Sequence, residues 1–341
     1  MSPRSASVRA AVGCTLAVGI PVLWLIVFNL RGLQAVADHW EITVTMLAGS
    51  FIGGATPEGG GAVGFPVLTK VLEVSPETAR LFTFAIQTVG MGSATVWIVT
   101  TRSPMDRRTL LIALPPSCIG AILCTLFLAD ALSGHTVRLL FTMIVLAMAL
   151  ALVVQSVRHP RTDQLSAPVH RRSFWVLAFA GAIGGIFTGF AGVGTDTVLF
   201  IVLVLLYRVR ETIATPTTVA LMSITSAAAF SANVVRGKFI GDVVDYWLAA
   251  VPVVAAGGVL GAYCCTRIPP LLLRYALLVL IAVEVVSTFL ILPMQASTIG
   301  FVTIATVALT TGMVVMSELC GGVRENWKRK LRNARPENHD R

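Results

Sequence analysis

The chain has 341 residues, of which 55% are hydrophobic and only 13% are charged, and its formal net charge is +9. A soluble globular domain carries about 25% charged residues, so this composition excludes an ordinary soluble domain and favours a protein of the lipid bilayer. The positive charge does not indicate nucleic-acid binding, because the basic residues lie in short loops and near the C-terminus, where they flank apolar segments.

Eight apolar segments of about 20 residues recur along the chain, and each is long enough to cross about 30 Å of hydrocarbon. They predict transmembrane helices at 11–30, 81–101, 109–129, 136–156, 212–234, 243–265, 271–291 and 298–317. The first apolar run is longer than the usual h-region of a signal peptide, which favours a helix that stays in the membrane. Because Ala35-Val36-Ala37 resembles a signal-peptidase site, cleavage of residues 1–37 is left open.

Two glycine-rich elements interrupt this pattern and resemble each other. "IGGATPEGGGAVGFPVL" at 52–68 and "IGGIFTGFAGVGTDTVL" at 183–199 both begin with Ile-Gly-Gly and end with Val-Leu, and a connector with Glu-Thr follows each. The similarity continues into the next spans, which predicts a duplicated unit with an offset of roughly 131–137 residues. The arms of the first element, 42–54 and 62–72, are roughly 16–20 Å long as helices and too short to cross alone.

The duplication predicts a single membrane domain over 1–341. Its parts are the first repeat at 42–156, a cytoplasmic connector at 157–172, the second repeat at 173–291, a final helix at 298–317 and a basic cytoplasmic tail at 318–341.

The distribution of lysine and arginine distinguishes two topologies. If both glycine-rich elements cross, the chain crosses ten times and, with the N-terminus inside, the inner loops hold 16 basic residues and the outer loops 10. If both are re-entrant hairpins, it crosses eight times and 20 of the 26 lie inside; the six outside are Arg31, Lys70, Arg80, Arg138, Arg236 and Lys238. The positive-inside rule favours eight crossings with both termini cytoplasmic. The hairpins then enter from opposite sides, and such inverted repeats are typical of secondary transporters.

Glycines at the first break are predicted to turn the chain and expose backbone N–H groups. Gly59, Gly60 and Gly61 make this turn, and Pro66 is expected near the start of the following half-helix, where a missing N–H costs little. In the second hairpin Gly192 and Gly194 turn the chain.

A capping residue is expected after the second turn. Thr195 or Asp196 is placed to cap a half-helix that runs through residue 207, and Thr195 is also a candidate substrate-binding residue. Two half-helix N-termini would then point at the centre of the protein, where their N–H groups and dipoles favour an anion.

Two carboxylates lie at the breaks, Glu58 and Asp196. An ionised carboxylate at membrane depth is costly and often functional, so both are candidates for coupling transport to a proton or cation. The alternatives are that Asp196 only caps its own half-helix and that Glu58 reaches water at a cavity mouth.

Polar residues inside the spans after each break are candidates for a permeation route. Gln87 lies mid-span with Thr83 four residues earlier, and Thr217 and Thr218 follow Pro216 in the second repeat. Interhelical hydrogen bonds, or repair of the backbone around the proline, explain them equally well. Glu284 is a further intramembrane acid, either a second proton site or the partner of a basic residue such as Arg274.

These motifs resemble the TauE/SafE-type sulfite exporter family over roughly 42–290. The resemblance is carried by "GGGAVGFPVLTK" with "AIQTVGM" in the first repeat and "GVGTD" with "IATPTTVALM" in the second. It implies binding roles for Gly59, Gly60, Gly61, Gln87, Gly192, Gly194, Asp196, Pro216 and Thr217, with Thr218 as the second small polar residue. The chain departs from the family at Glu58, because the turn before the three glycines is often uncharged.

The resemblance implies a plasma-membrane carrier, not an enzyme, for a small anion such as sulfite, an organosulfonate or a related sulfur or organic acid. Its mechanism would be alternating access around the two hairpin tips, driven by protons or membrane potential. We expect no cofactor, no metal and no nucleic acid, contact with membrane lipid, and a homodimer. The alternatives are an anion channel and a membrane enzyme or assembly subunit; the five histidines and six cysteines show no ligand spacing that would favour an enzyme.

Overall fold

The structure is a computed structural model that describes residues 11, 15–158, 165–167, 171–265, 267–291 and 311. These residues form helices joined by turns, and no strand occurs among them. The prediction of an all-α protein is confirmed for this part of the chain.

Six α-helices lie in the first half of the described chain. They are α1 (Ile20–Asp38), α2 (Trp40–Ala55), α3 (Gly61–Pro66), α4 (Pro76–Thr100), α5 (Arg107–Leu123) and α6 (Gly134–Arg158). Helix α3 continues as a π-helical turn over Val67–Val71. Pro66 therefore ends the α-helical part and does not lie near its start, which corrects the prediction. Proline has no N–H for the α-helical ladder, and the π-helical pattern begins at the next residue.

Five α-helices follow in the second half. They are α7 (Arg171–Ala191), α8 (Thr195–Ile201), α9 (Glu211–Val235), α10 (Asp242–Cys265) and α11 (Pro270–Ile291). Helix α8 also continues as a π-helical turn, over Val202–Leu206, so it ends one residue before the predicted 207.

The same backbone geometry occurs after both short helices. The π-helical turns of α3 and α8 are followed by Glu73 and Arg208, which both have a φ of 53°. Helices α4 and α9, which come next, are both 25 residues long. Left-handed backbone is uncommon for residues other than glycine, so its recurrence extends the likeness of the halves from sequence to conformation.

Among the described residues, six helices are long and apolar enough to cross a membrane: Ile20–Asp38, Pro76–Thr100, Arg107–Ala131, Arg171–Ala191, Glu211–Val235 and Asp242–Cys265. Five of them overlap predicted spans, although the first is shifted towards the C-terminus from the predicted 11–30. The sixth, α7, is the first arm of the second glycine-rich element. The predicted spans at 136–156 and 271–291 coincide with α6 and α11, and 298–317 lies outside the described residues except for 311.

The two halves interlock through their first helices. Helix α2 packs along α10, and α7 packs along α5. A methyl group built on Gly54 of α2 would lie 2.2 Å from the carbonyl oxygen of Gly258, and one on Gly185 of α7 would lie 2.2 Å from that of Ser117. Small residues are typical of such close helix packing in membranes, where burial of apolar surface does not drive association. This packing brings the two helix breaks together in the interior.

Candidate functional site

The first break separates α2 from α3 and depends on one left-handed glycine. Gly59 has a φ of +69°, whereas Gly60 already has helical backbone and Gly61 begins α3. At Gly61 it is space that requires glycine, because a methyl group there would lie 2.5 Å from Cγ1 of Val193 and 2.6 Å from Cγ2 of Thr83. The three predicted glycines therefore have different roles: Gly59 turns the chain, and Gly61 permits close contact.

The second break separates α7 from α8. Gly192 and Gly194 have φ values of +82° and +142°, which confirms the predicted turn. The N-cap residue of α8 is Gly194, which has no side chain that could cap the helix. The prediction that Thr195 or Asp196 is the capping residue is therefore wrong. The unusual φ of Gly194 lets the helix begin at Thr195 itself, and the hydroxyl of Thr188 accepts the N–H of Thr195 at 2.9 Å.

Asp196 holds the N-terminus of α8 from within the first turn. Its Oδ1 accepts the backbone N–H of Thr197 at 2.9 Å and that of Gly194 at 3.3 Å. Its Oδ2 is buried and has no hydrogen-bond partner among the described residues. One oxygen therefore has a structural role inside the first turn, although Asp196 is not the N-cap residue, and the other oxygen faces the break in the opposite half.

The two breaks meet each other beside α4. A methyl group built on Gly59 would lie 3.0 Å from Oδ2 of Asp196 and 3.1 Å from Nε2 of Gln87, and one on Gly61 would lie 2.9 Å from the same Nε2. The structure thus brings the glycines of both breaks, Asp196 and Gln87 together at one place. We call this place the junction.

Several polar atoms at the junction are buried without a partner. Both carboxylate oxygens of Glu58 and Nε2 of Gln87 make no hydrogen bond in the described part of the chain. Glu58 is 0% exposed and directly precedes Gly59 in the chain. Since buried polar groups are almost always hydrogen-bonded, each such atom calls for an explanation, and a transported ligand or proton is one.

Gln87 is oriented by a residue from the other half. The hydroxyl of Ser226 in α9 donates to Oε1 of Gln87 at 2.6 Å, which leaves the amide donor Nε2 facing the glycines. The sequence analysis did not single out Ser226. In the sequence it is one of four small polar residues in "SITSAAAFSA", and nothing distinguishes it from the other three.

A cavity of about 10 Å³ adjoins the junction, measured as the volume open to the centre of a water-sized sphere. Its walls are Met46, Ser50, Gly53, Gly60, Ile86, Gln87, Gly90, Met91 and Val254. A single water needs roughly 10–15 Å³ on this measure. The cavity therefore has room for about one water molecule and is too small for an oxyanion.

The predicted residues of the second repeat lie in α9. Pro216 is inside this helix, and the hydroxyl of Thr218 donates to the carbonyl of Thr215 at 3.1 Å. The hydroxyl of Thr217 donates to the carbonyl of Ile213 and accepts the N–H of Asp106 at 2.8 Å. The contact that α9 makes with Gln87 comes from Ser226, whereas Thr217 binds the loop before α5.

Glu284 has Lys70 as its partner. Nζ of Lys70 donates to Oε1 of Glu284 at 2.6 Å and to the hydroxyls of Thr288 at 2.7 Å and Ser287 at 3.1 Å. Both charged side chains are at most 4% exposed. This buried pair joins the π-helical end of α3 to α11; the side chain of Arg274, the predicted partner, lies outside the described residues.

A family model described as "Sulfite exporter TauE/SafE" matches residues 41–288, which span both breaks and the helices that hold them. No curated protein and no solved structure gave a significant match.

Proposed function

Because the chain belongs to the TauE/SafE sulfite exporter family, whose members are multi-pass membrane transporters, we propose that it is a secondary carrier that exports a small anion across the plasma membrane. Sulfite, an organosulfonate or a related sulfur or organic acid is the expected substrate. The observation that carries this proposal is the meeting of two helix breaks at a buried place with unpartnered polar atoms.

The anion would bind at the junction between the starts of α3 and α8. Helix N-termini offer free N–H groups and the positive end of the helix dipole, and Nε2 of Gln87 adds a donor aimed at the same place. Gly59, Gly61, Gly192 and Gly194 would let the ligand approach the backbone. Opening of the small cavity would precede binding.

Asp196 would couple binding to a proton. Its ionised carboxylate already accepts N–H groups at the start of α8, so a substrate anion there would compete with it for the same donors and be repelled by its charge. Protonation of Asp196 removes this repulsion. Glu58, whose oxygens are both buried and have no partner in the part of the chain that the structure describes, would take the proton in the other half.

The eight-crossing topology is proposed for the membrane arrangement. Two contacts support it. Lys238 binds Asp130, with Nζ at 2.9 Å from Oδ2, and the backbone of Asp106 binds Thr217. The ten-crossing topology would place the members of each pair on opposite sides of the membrane, and the eight-crossing topology places them on the same side.

In this topology both glycine-rich elements are re-entrant and the halves are inverted repeats. The first helix of each half packs against the other half, and this exchange also supports the proposal. Alternating access would follow from rocking of one half against the other around the junction. A homodimer, contact with lipid and cytoplasmic termini remain predictions.

Flux measurements in proteoliposomes test the proposed function. The purified chain is reconstituted into proteoliposomes. These are loaded with sulfite, sulfoacetate, thiosulfate or a carboxylate, and flux is measured with and without a pH gradient. We expect saturable flux of one anion that the gradient stimulates, and loss of this stimulation in Asp196→Asn and Glu58→Gln. Asp242→Asn, which neutralises an exposed acid at the start of α10, is the matched control. Unsaturable flux would indicate a channel, and no flux from folded protein would reject the carrier.

Cysteine labelling tests the topology separately. Single cysteines at Arg107, Ala131 and Ile240, all exposed, are introduced into a chain that lacks its native cysteines. The eight-crossing topology expects 131 and 240 to react from the outside and 107 from the inside. Labelling of 131 and 240 from opposite sides would overturn it.

A further inference from the structure

A cluster of cations lies where α4 begins, beside the turn between α9 and α10. Asp130 is its centre: Oδ1 lies 3.5 Å from Nη2 of Arg80 and Oδ2 lies 3.6 Å from Nη2 of Arg236. Lys238 binds both oxygens of Asp130 and also Oε1 of Glu77. Three cations therefore share two carboxylates.

The cations lie deeper than the carboxylates. The side chain of Arg80 is 3% exposed, whereas that of Asp130 is 44% exposed and that of Glu77 is 55% exposed. Nε of Arg80 is buried without an acceptor in the described part of the chain, and its bond to Asp130 is long. A buried guanidinium with one long bond and an unpaired Nε is under-satisfied, so a further oxyanion ligand would satisfy it.

Helix α4 connects this cluster to the junction. Arg80, Thr83 and Gln87 follow the i, i+3, i+7 spacing of one helix face, and the last two contact the glycines of the breaks. The carbonyl of Arg80 itself lies 3.6 Å from a methyl group built on Gly192. Seven residues of α-helix span about 10 Å, so Arg80 stands about two turns from Gln87 towards the surface.

We propose that Arg80, assisted by Arg236 and Lys238, forms a second anion site at the mouth of the path to the junction. The site takes a small oxyanion, the substrate class of the proposed carrier on which this inference rests, because a guanidinium fork binds two oxygens of a planar or tetrahedral oxyanion at once. Asp130 is the exchangeable counter-ion. It neutralises the cations in this structure and is displaced when an anion arrives.

Kinetics and sulfite-dependent stability test this site together. Sulfite flux is measured for the parent, Arg80→Gln, Arg80→Lys, Asp130→Asn and the control Arg107→Gln, an exposed arginine at the start of α5. The rise in melting temperature with sulfite, compared with sodium chloride at equal ionic strength, is measured in detergent for the same variants. The second measurement does not require transport.

We expect Arg80→Gln to raise KM about tenfold or more with little change in the maximal rate, since a charged hydrogen bond is lost. Arg80→Lys should retain part of the affinity. Asp130→Asn should lower KM and enlarge the stabilisation by sulfite, because the competing carboxylate is gone. Arg107→Gln should resemble the parent.

If the cluster only stabilises the fold, Asp130→Asn should not lower the KM for sulfite. If Asp130→Asn leaves KM unchanged or raises it, and both Arg80 variants lower only the maximal rate, the second site is rejected. If the parent carries no sulfite but sulfite raises its melting temperature and the Arg80 variants lose this rise, the second anion site is supported and the proposed carrier function is rejected. Equal stabilisation by sodium chloride would also reject the site.

Discussion

Glu58 and Glu284 are both buried glutamates in an apolar protein, but their surroundings differ. Oε1 of Glu284 accepts hydrogen bonds from the ammonium of Lys70 and from the hydroxyls of Thr142 and Thr288. Neither oxygen of Glu58 has a partner among the described residues. Since an ionised group at membrane depth must be paired, hydrated or neutralised, the pairing of Glu284 indicates a structural role and the isolation of Glu58 indicates a functional one.

Asp106 adds a third arrangement, in the loop before α5. Its carboxylate accepts the N–H groups of Thr109 and Ala167 and the hydroxyls of Thr109 and Ser166. It caps α5 and ties this helix to the segment between the halves. Comparison of Glu58, Glu284 and Asp106 predicts that the loss of unfolding free energy on substitution of a buried acid depends on the number of its hydrogen-bond and ion-pair partners.

The largest effect is expected at Lys70. Lys70→Met leaves Glu284 buried without its counter-charge and should lower the free energy of unfolding by about 3–5 kcal/mol. The double variant Lys70→Met/Glu284→Leu removes both charges and should recover most of this loss. Thermal unfolding in detergent checks both; a double variant as unstable as the single one would contradict the pairing argument.

The next largest effect is expected at the junction glycines. Gly61→Ala places a methyl group against Val193 and Thr83 and should cost about 1–3 kcal/mol through overpacking, with loss of anion flux. Gly92→Ala in α4 is the control, because nothing lies within 4 Å of the added methyl group. Equal unfolding temperatures for the two variants would argue against close contact of the breaks.

A smaller effect is expected at Asp106. Asp106→Ala removes the cap of α5 and should cost about 1 kcal/mol near neutral pH. Burial alone would raise the pKa of Asp106, but hydrogen bonds from Ala167, Thr109 and Ser166 hold this pKa below its ordinary value.

This lowered pKa fixes the pH dependence. Because the pKa of Asp106 is lower in the folded state than in the unfolded state, its ionisation stabilises the protein in full above about pH 4, the ordinary value for an aspartate. This contribution is lost as the pH falls from there through the folded-state pKa. The stability difference between the parent and Asp106→Asn should therefore shrink below about pH 4, as measured by unfolding midpoints from pH 7 to pH 3. A constant difference would exclude this contribution.

The smallest change in stability is expected for Glu58→Gln. The amide replaces a carboxylate that has no partner to lose, so the free energy of unfolding should change by less than about 1 kcal/mol. Glu284→Gln should cost several times more, because it leaves the buried Lys70 without a counter-charge. Equal losses of unfolding free energy in Glu58→Gln and Glu284→Gln would contradict the distinction between a functional Glu58 and a structural Glu284.

Local patterns in the sequence predicted the helices, the two breaks and the residues that turn the chain. Gly59, Gly192 and Gly194 adopt left-handed backbone as expected, and Gln87 and Asp196 meet at the junction. Such features depend on residues near one another in the chain, because helix periodicity and glycine freedom are local properties. Two of the errors were also local: Pro66 ends the α-helical part of α3, and Gly194 rather than Thr195 or Asp196 precedes α8.

Only the tertiary structure decided which distant side chains are partners. Lys70 binds Glu284, Ser226 orients Gln87, and Lys238 shares Asp130 with Arg80. Each pair joins residues that are distant in the chain, and most pairs join the two halves, so no short spacing along the chain encodes them. Close helix packing through small residues selects these contacts; within the described ranges it gives Glu284 a partner and leaves Glu58 without one.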